Sequence, residues 1–357
     1  MKKIAFVITD LSYGGAQTML IQLIENIDYP EYLVEVFVRE SKLGTDIESK
    51  LEHMGVNCHY LKLNDNNFDG SKIIHKLKSF KRFRHELNRF NPDFVHSHLD
   101  CFYSPLYCIL GKVKFIFTIH SFPTRIMSKQ FKIFLNLLRR TNKLSIVGCA
   151  KCVSDNAIEL LGSKYNGYIS TIYNPINCRS YNLTPIRNGN TFIHIGRMEP
   201  IKNQKLLIES FADFVKQYTK CKLLMIGDGD LRECLESYVV DNDLSENIIF
   251  LGNRKDIAEL LSKSDCFIMT SESECCPMSI LEAMASGLPI ISTDVGGIKE
   301  IAGESAIFVE DKQSIVDALE KIYTDEQLRY SLGKISEKNS LYYDSKLISI
   351  EYAKLYS

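Results

Sequence analysis

The chain has 357 residues, 45% of them apolar and 24% charged, with 43 Lys and Arg against 44 Asp and Glu for a net charge of −1. That length exceeds one comfortable hydrophobic core and suits two α/β domains. The balanced charge excludes a global attraction to nucleic acid or membrane, so any such affinity must come from a local patch.

The N-terminus has a basic start but only a brief apolar run, Ile4 to Thr9, before Asp10, Ser12 and a glycine pair. A secretory leader needs a longer apolar stretch, so this reads as a buried first strand. No uncharged apolar segment reaches the roughly 18 residues of a bilayer span. Among 11 cysteines, Cys149, Cys221 and Cys266 sit within apolar runs, and Cys149 with Cys152 forms a lone CxxC. Without a second pair this makes a poor zinc site, and the odd count reads as a reduced cytoplasmic protein with no metal.

In chain order, the apolar runs Ile4–Thr9, Leu33–Val38, a shorter Phe94–His96, Lys114–Ile119, Leu144–Val147 and Ile169–Tyr173 predict strands. Segments of helical period, such as Ala16–Ile27 and Ser71–Phe90, separate them. Strands that are apolar throughout are covered on both faces, as in a parallel sheet with right-handed crossovers. Gly14 and Gly15 end the loop after the first run, His96 and His98 bracket the end of the third, and His120 follows the fourth. Three histidines near strand ends invite a metal reading, but no acidic partner of ligand spacing accompanies them. Charge is uneven here. Residues 76–89 hold Lys76, Lys78, Lys81, Arg82, Arg84 and Arg89 against Glu86 alone, and residues 125–143 hold six basic residues and no acid. In the latter, Ile126, Met127, Phe131, Phe134, Leu137 and Leu138 interleave with the charges. That pattern fits either two solvated helix faces or contact with an anionic membrane.

Asn174-Pro175 and the Asn-, Pro- and Gly-rich stretch 182–190 read as a linker. A second strand series follows at Phe192–Ile195, Lys222–Ile226, Ile248–Leu251, Cys266–Met269 and Leu288–Ser292, with a terminal helix at Ser345–Tyr356. The expected domains are therefore 1–175, rejoined by a C-terminal helix at 343–357, and 190–342. Ligands of open parallel sheets bind outside the strands' carboxyl ends, so the loops there hold the site.

Directly after the first strand of the second half, Arg197 and Lys202 place two cations at its carboxyl end. Such cations stabilise a diphosphate leaving group as charge develops on it; a solvated surface pair is the plain alternative. Asp228-Gly-Asp230 reads as a turn plus helix cap rather than a metal-binding pair. Glu274 lies in an acidic loop, Pro277 suits the first turn of the next helix, and Glu282 lies inside it. The N–H groups of Met278, Ser279 and Ile280 form a place for phosphate, with one carboxylate on either side for sugar hydroxyls. Alone, the same residues fit a carboxylate cluster that complements the helix dipole.

Taken together, G-R-x4-K, G-D-G-x-L, E-x7-E-A-M-A-x-G-x-P and T-D-V-G-G occur here in an order that resembles the family-4 retaining glycosyltransferases of the GT-B fold (glycosyl transferases group 1). The resemblance implies two Rossmann-like domains with parallel sheets facing across a cleft, the first binding acceptor and the second nucleotide sugar. It implies that Arg197 and Lys202 hold the diphosphate, Glu282 binds the ribose hydroxyls and Glu274 meets the donor sugar near its reacting carbon. Gly252, Asn253 and Arg254 would lie near the base, Gly14 and Gly15 would approach the donor, and His120, within T-x-H, would contact donor sugar or acceptor. His96 and His98 remain scaffold.

Two positions depart from the pattern: Cys275 replaces the usual glycine after the first glutamate, adding a side chain near the sugar pocket, and Asn203 replaces a frequent glycine after the lysine. The implied reaction retains configuration by front-face attack, uses no metal or other cofactor, and on family frequency takes a UDP-sugar. The basic first half favours a lipid-linked or surface-polysaccharide acceptor and a peripheral position at the inner face of the plasma membrane, through 76–89 and 125–143. A sugar-nucleotide epimerase, a phosphorylase and a non-catalytic sugar-nucleotide-binding protein share this architecture. A nicotinamide oxidoreductase does not fit, because no G-x-G-x-x-G follows a strand.

Overall fold

The computed structural model describes residues 1–27, 31–63, 72–185 and 188–357, apart from the side chains at 72–73 and 125–126. Ser71 of the expected helix, the side chains of Arg125 and Ile126, and residues 186–187 of the expected linker lie outside what is described. The chain divides into two compact units, Met1–Pro175 with Ser345–Ser357, and Ile176–Asp344.

The first unit is built on β1 (Lys2–Ile8), β2 (Tyr32–Val38), β3 (Asn57–Tyr60), β4 (Phe94–His98), β5 (Lys114–Ile119), β6 (Leu144–Gly148) and β7 (Ile169–Thr171). They form one sheet in the order β3-β2-β1-β4-β5-β6-β7, with every pairing parallel. Ile4 to Ile8 are fully buried, as a central parallel strand requires. The helix Lys72–Phe90 turns Phe83, Leu87 and Phe90 inward and leaves Lys76, Lys78, Lys81, Arg82, Arg84 and Arg89 outside.

The helix Lys129–Arg140 divides its apolar residues between core and surface. Phe131, Leu135 and Leu138 pack into the core, with Phe131 edge-on to Phe117 at 4.9 Å, so most of its apolar stripe faces the sheet. Only Ile133 and Leu137 stay exposed on it.

Residues 345–357 complete this unit as the helix Ser345–Ala353 and a final turn, Lys354–Tyr356. Lys2 Nζ donates to the Tyr356 carbonyl at 2.8 Å, and the Tyr356 ring, almost wholly buried, packs beside Tyr32 and Phe94.

The second unit holds β8 (Thr191–Ile195), β9 (Lys222–Ile226), β10 (Ile248–Gly252), β11 (Cys266–Met269), β12 (Ile290–Thr293) and β13 (Ala306–Val309) in the order β10-β9-β8-β11-β12-β13. All its pairings are parallel too. Of the segments read as linker, Asn174 and Pro175 close the first unit and 182–190 fall in the second, where nearby Cys178 Sγ donates to the Ser340 carbonyl at 3.5 Å. Strand order reverses between β1 and β4 in the first sheet and between β8 and β11 in the second, and these switch points are where open α/β sheets accept ligands. Among the described residues no helix is long and apolar enough to cross a membrane.

Gly227 shows why the turn after β9 needs its glycines. Its φ is +126°, and a Cβ there would lie 2.1 Å from the Gly196 carbonyl oxygen; one on Gly229 would lie 2.5 Å from that of Met198. The turn thereby lies flat on the loop after β8 and holds it. Asp228 accepts from Gly229 N at 2.8 Å, but the helix Arg232–Asp241 starts at Leu231 without a side-chain cap, so Asp230 is not its cap. Gly227→Ala combines backbone strain with overlap and is expected to lower stability by about 2 kcal/mol or more, measured by urea unfolding.

Candidate active site

The second unit's switch point is formed by two loops, one after β8 and one after β11. Gly196 N donates to the Ile226 carbonyl and Met198 N to that of Asp228. Asn203, in the left-handed region at φ 48°, then turns the chain into the helix Gln204–Val215. Beneath the loop, the buried His194 places Nδ1 2.9 Å from the Ile268 carbonyl oxygen, and burial holds its pKa down to about 4. Gln204 donates to the Arg197 carbonyl at 2.8 Å.

This scaffold brings Lys202 and Glu274, 72 positions apart in sequence, to 2.6 Å, with side chains 21% and 9% exposed. Ser271 Oγ donates to the same Glu274 oxygen at 2.7 Å. The backbone locks the two loops together, through Glu272 N to the Ile201 carbonyl and Thr270 Oγ1 to that of Asn203. Gly297 N donates to the Glu274 carbonyl at 3.3 Å, and Thr293 Oγ1 to that of Ser271. The T-D-V-G-G stretch thus buttresses the acidic loop. Arg197 does not join this cluster; its side chain, 56% exposed, binds Glu199 at 2.9 Å.

The helix Met278–Ala285 follows, and Pro277 is its N-cap residue rather than a first-turn one, with no side-chain hydrogen bond to the cap. The first-turn N–H groups of Met278, Ser279 and Ile280 therefore lack an intrahelical acceptor. Cys275 is buried beside this start. On the other flank, Gly252 ends β10 with φ +64°, Asn253 is exposed, and Arg254 is clasped by Asp256 through bonds of 2.8 and 2.6 Å.

Glu282 is 9% exposed, and burial raises its carboxyl pKa to about 7, opposed in part by the Tyr181 hydroxyl. Tyr181 itself is pushed above the usual phenol range by burial and by Glu282. Sequence reasoning missed Ser271 and Tyr181; neither carries a local signal, since each matters only through a distant carboxylate. A carboxyl whose pKa is raised on folding contributes stability below its unfolded value, and loses it as pH rises through about 7. Glu282→Gln is therefore expected to gain stability over the parent between pH 5 and pH 8, by about 3 kcal/mol at most. Urea melts across that range check it.

In the first unit, Gly14 is the extended N-cap residue (φ −177°) of the helix Gly15–Glu25, which also has no side-chain cap. Asp10 organises the loop before it, accepting from Ser12 N at 3.0 Å and Gln17 Nε2 at 3.1 Å.

The histidines form a ladder across the carboxyl ends of β4 and β5. His96 binds Tyr356 OH through Nδ1 and Thr118 Oγ1 through Nε2, both at 2.7 Å. His98 Nδ1 lies 2.9 Å from His120 Nε2, while His98 Nε2 is buried with no partner among the described residues. Burial lowers the pKa of all three, that of His120 to about 4, so the ladder is neutral at physiological pH.

A buried N–H left without an acceptor is rarer than a bare acceptor, which puts the His98 proton on Nδ1, donating to His120. His120 then carries its own proton on Nδ1. Long-range 1H–15N spectra should show the Nδ1–H tautomer for His120, and its displacement toward Nε2–H in His98→Leu. Among the described residues, no group of three or more His, Cys, Asp or Glu side chains could hold a metal ion.

Comparison with known proteins agrees with this architecture. The profile "Glycosyl transferases group 1" matches residues 183–339 and "Glycosyltransferase Family 4" matches residues 13–180. The N-acetyl-alpha-D-glucosaminyl L-malate synthase of Bacillus anthracis is 28% identical over 75% of each chain. The UDP-Gal:alpha-D-GlcNAc-diphosphoundecaprenol alpha-1,3-galactosyltransferase of Escherichia coli is 31% identical over 40% of this chain and 38% of its own. Among solved structures, Anabaena HepE in complex with UDP and glucose superposes with a TM-score of 0.83, covering 99% of both chains at 18% identity. Two Rossmann-like units of this kind make up the GT-B fold. The chain belongs to the group 1, family 4 glycosyltransferases, and is an enzyme of that class.

Proposed function

We propose that this glycosyltransferase moves a sugar, with retention and without a metal, from a UDP-sugar to a saccharide or lipid-linked saccharide in surface polysaccharide synthesis. The observation that carries the reading is the Lys202–Glu274 pair beside an uncapped helix start, at the switch point of the second sheet. The names of the relatives agree in substrate class: one acts on a diphosphoundecaprenol-linked sugar with UDP-galactose, and HepE holds UDP with glucose.

In this reading the diphosphate lies on the N–H groups of Met278, Ser279 and Ile280, with Lys202 taking the charge that develops as the glycosidic bond breaks. Glu274, released from Lys202, accepts from sugar hydroxyls, and Glu282 accepts from the ribose. Arg197 exchanges Glu199 for phosphate at small cost, because an exposed ion pair is worth about 0–1 kcal/mol. Gly14 and Gly15 bring a second uncapped helix start to the donor, and Gly252, Asn253 and Arg254 flank the base. His120, neutral with its proton on Nδ1, donates to a substrate oxygen. That leaves the departing phosphate as the base for the acceptor hydroxyl, on the face from which it leaves. Exposed Ile74, Leu77, Leu110, Ile133 and Leu137 lie among the basic residues of the first unit, which supports peripheral contact with an anionic membrane.

A thermal-shift panel of UDP, GDP, ADP and NAD is expected to respond to UDP; a response to NAD alone rejects the reading. Lys202→Ala should lower kcat about tenfold to a hundredfold, while Glu282→Ala chiefly raises the donor KM. Transfer at the parent rate in both variants would remove the site assignment. Flotation on vesicles with and without phosphatidylglycerol checks the membrane contact, and equal, negligible binding to both rejects it.

A further inference from the structure

A cavity of about 410 Å³ opens in the first unit where β2 and β4 end, on the two sides of β1. Arg39 follows β2 directly, and Leu99, in the left-handed region at φ 71°, turns the chain after β4. His75 and Lys76 of the helix Lys72–Phe90 line another wall, and Ser128 and Gln130 at the start of the helix Lys129–Arg140 line a third.

Two of these cations are set against aromatic rings: the Arg39 guanidinium lies 5.3 Å from the Tyr103 ring centre, and Lys76 Nζ lies 5.3 Å from that of Phe102. Such stacking holds a long cationic side chain in place without neutralising it.

The one carboxylate in the lining among the described residues, Asp100, is fully buried and already engaged. It accepts from Ser104 N and Ser104 Oγ at 2.7 Å each, from Phe102 N and Tyr103 N at 3.4 Å, and pairs with Arg39 at 3.4 Å. What the walls offer a ligand is therefore cationic or hydrogen-bond donating: guanidinium, ammonium, imidazole, hydroxyl and amide, beside the start of a 12-residue helix whose Phe131 N–H is already taken by Ser128 Oγ at 3.2 Å. That set matches an anion with several oxygens, and the volume exceeds what phosphate alone fills. The cavity also lies at the carboxyl edge of the sheet that carries His120, and it borders the two basic helices.

We propose that this cavity binds the phosphate or diphosphate group of the acceptor, so that the enzyme recognises a phosphorylated acceptor through Arg39 and Lys76. The acceptor role rests on the glycosyl-transfer reading above; the anion site does not.

Inorganic pyrophosphate is the probe, titrated calorimetrically into full-length protein saturated with UDP, which fills the donor site. One pyrophosphate should still bind. Its affinity should fall about tenfold or more in Lys76→Glu, as expected for losing a charge-assisted contact, and stay unchanged in Lys202→Ala. Lys76 is exposed, so its replacement leaves the fold intact, whereas Arg39→Ala would strip the buried Asp100 of its cation. No pyrophosphate bound to the UDP-saturated protein, or equal affinity in Lys76→Glu, overturns the site. Failure of UDP to bind is a separate result that sinks the donor reading. In that case the same Lys76→Glu and Lys202→Ala comparison is made without UDP and decides the cavity on its own. Monomeric short-chain phosphatidylglycerol, titrated in competition with pyrophosphate, distinguishes the source of the phosphate. No displacement of pyrophosphate supports the acceptor's own group, and displacement reassigns the cavity to lipid headgroups and overturns the acceptor assignment.

Discussion

Parallel strands cannot be joined by a tight turn; each must be followed by a crossover that returns the chain to the opposite edge. Every strand of this protein therefore releases its loop at the same side of its sheet, and the side chains with chemistry collect there without needing to be near one another in sequence. Arg39, Leu99 to Cys101 and His120 lie at one such edge, and Gly196 to Asn203, Gly252 and Thr270 to Pro277 at the other. Reversal of strand order then opens a crevice between β1 and β4 and between β8 and β11, and both crevices are bordered by helices that begin without a side-chain cap. Unused N–H groups and an open crevice occur together in each unit because one topology produces both.

Each unit sets an ion pair beside buried neutral imidazole. In the second, Lys202 and Glu274 pair at 2.6 Å in a place that solvent still reaches. Partial exposure limits the desolvation cost and leaves both groups free to change partners. In the first, the buried Asp100 pairs with Arg39, while the imidazoles at the ends of β4 and β5 are neutral and each ring nitrogen of His96 has a hydroxyl. Glu282 stands between these cases. It is buried deeply enough to hold its proton up to about pH 7, so its capacity to accept hydrogen bonds from a ligand grows across the physiological range.

Much of this was legible in the sequence because central parallel strands are apolar throughout. β5, β9 and β11 coincide with the apolar runs at Lys114–Ile119, Lys222–Ile226 and Cys266–Met269. The two strands that escaped, β3 (Asn57–Tyr60) and β13 (Ala306–Val309), are four-residue edge strands: β3 has no continuous apolar run, and β13 has one of only four residues, partly exposed. β4 reads as ending at His96 yet continues to His98, because the hydroxyls that satisfy His96 come from Thr118 and Tyr356, 22 and 260 positions away. The same limit applies to the site. Lys202 and Glu274 are each visible as motif residues, but their pairing and the part played by Ser271 are properties of the fold. The apolar stripe of 125–143 shows the converse: periodicity reveals an amphipathic helix, and only the packing shows that its apolar side faces the sheet.

The return of residues 345–357 to the first unit has a consequence for how the chain comes into being. Tyr356 supplies a hydroxyl to His96 and a carbonyl to Lys2, so a sheet whose seven strands all precede Ile176 is covered in part by residues that follow Asp344. In vectorial synthesis that cover is made only after the whole of the contiguous second unit, and the first unit's last packing step comes after the second unit's strands exist.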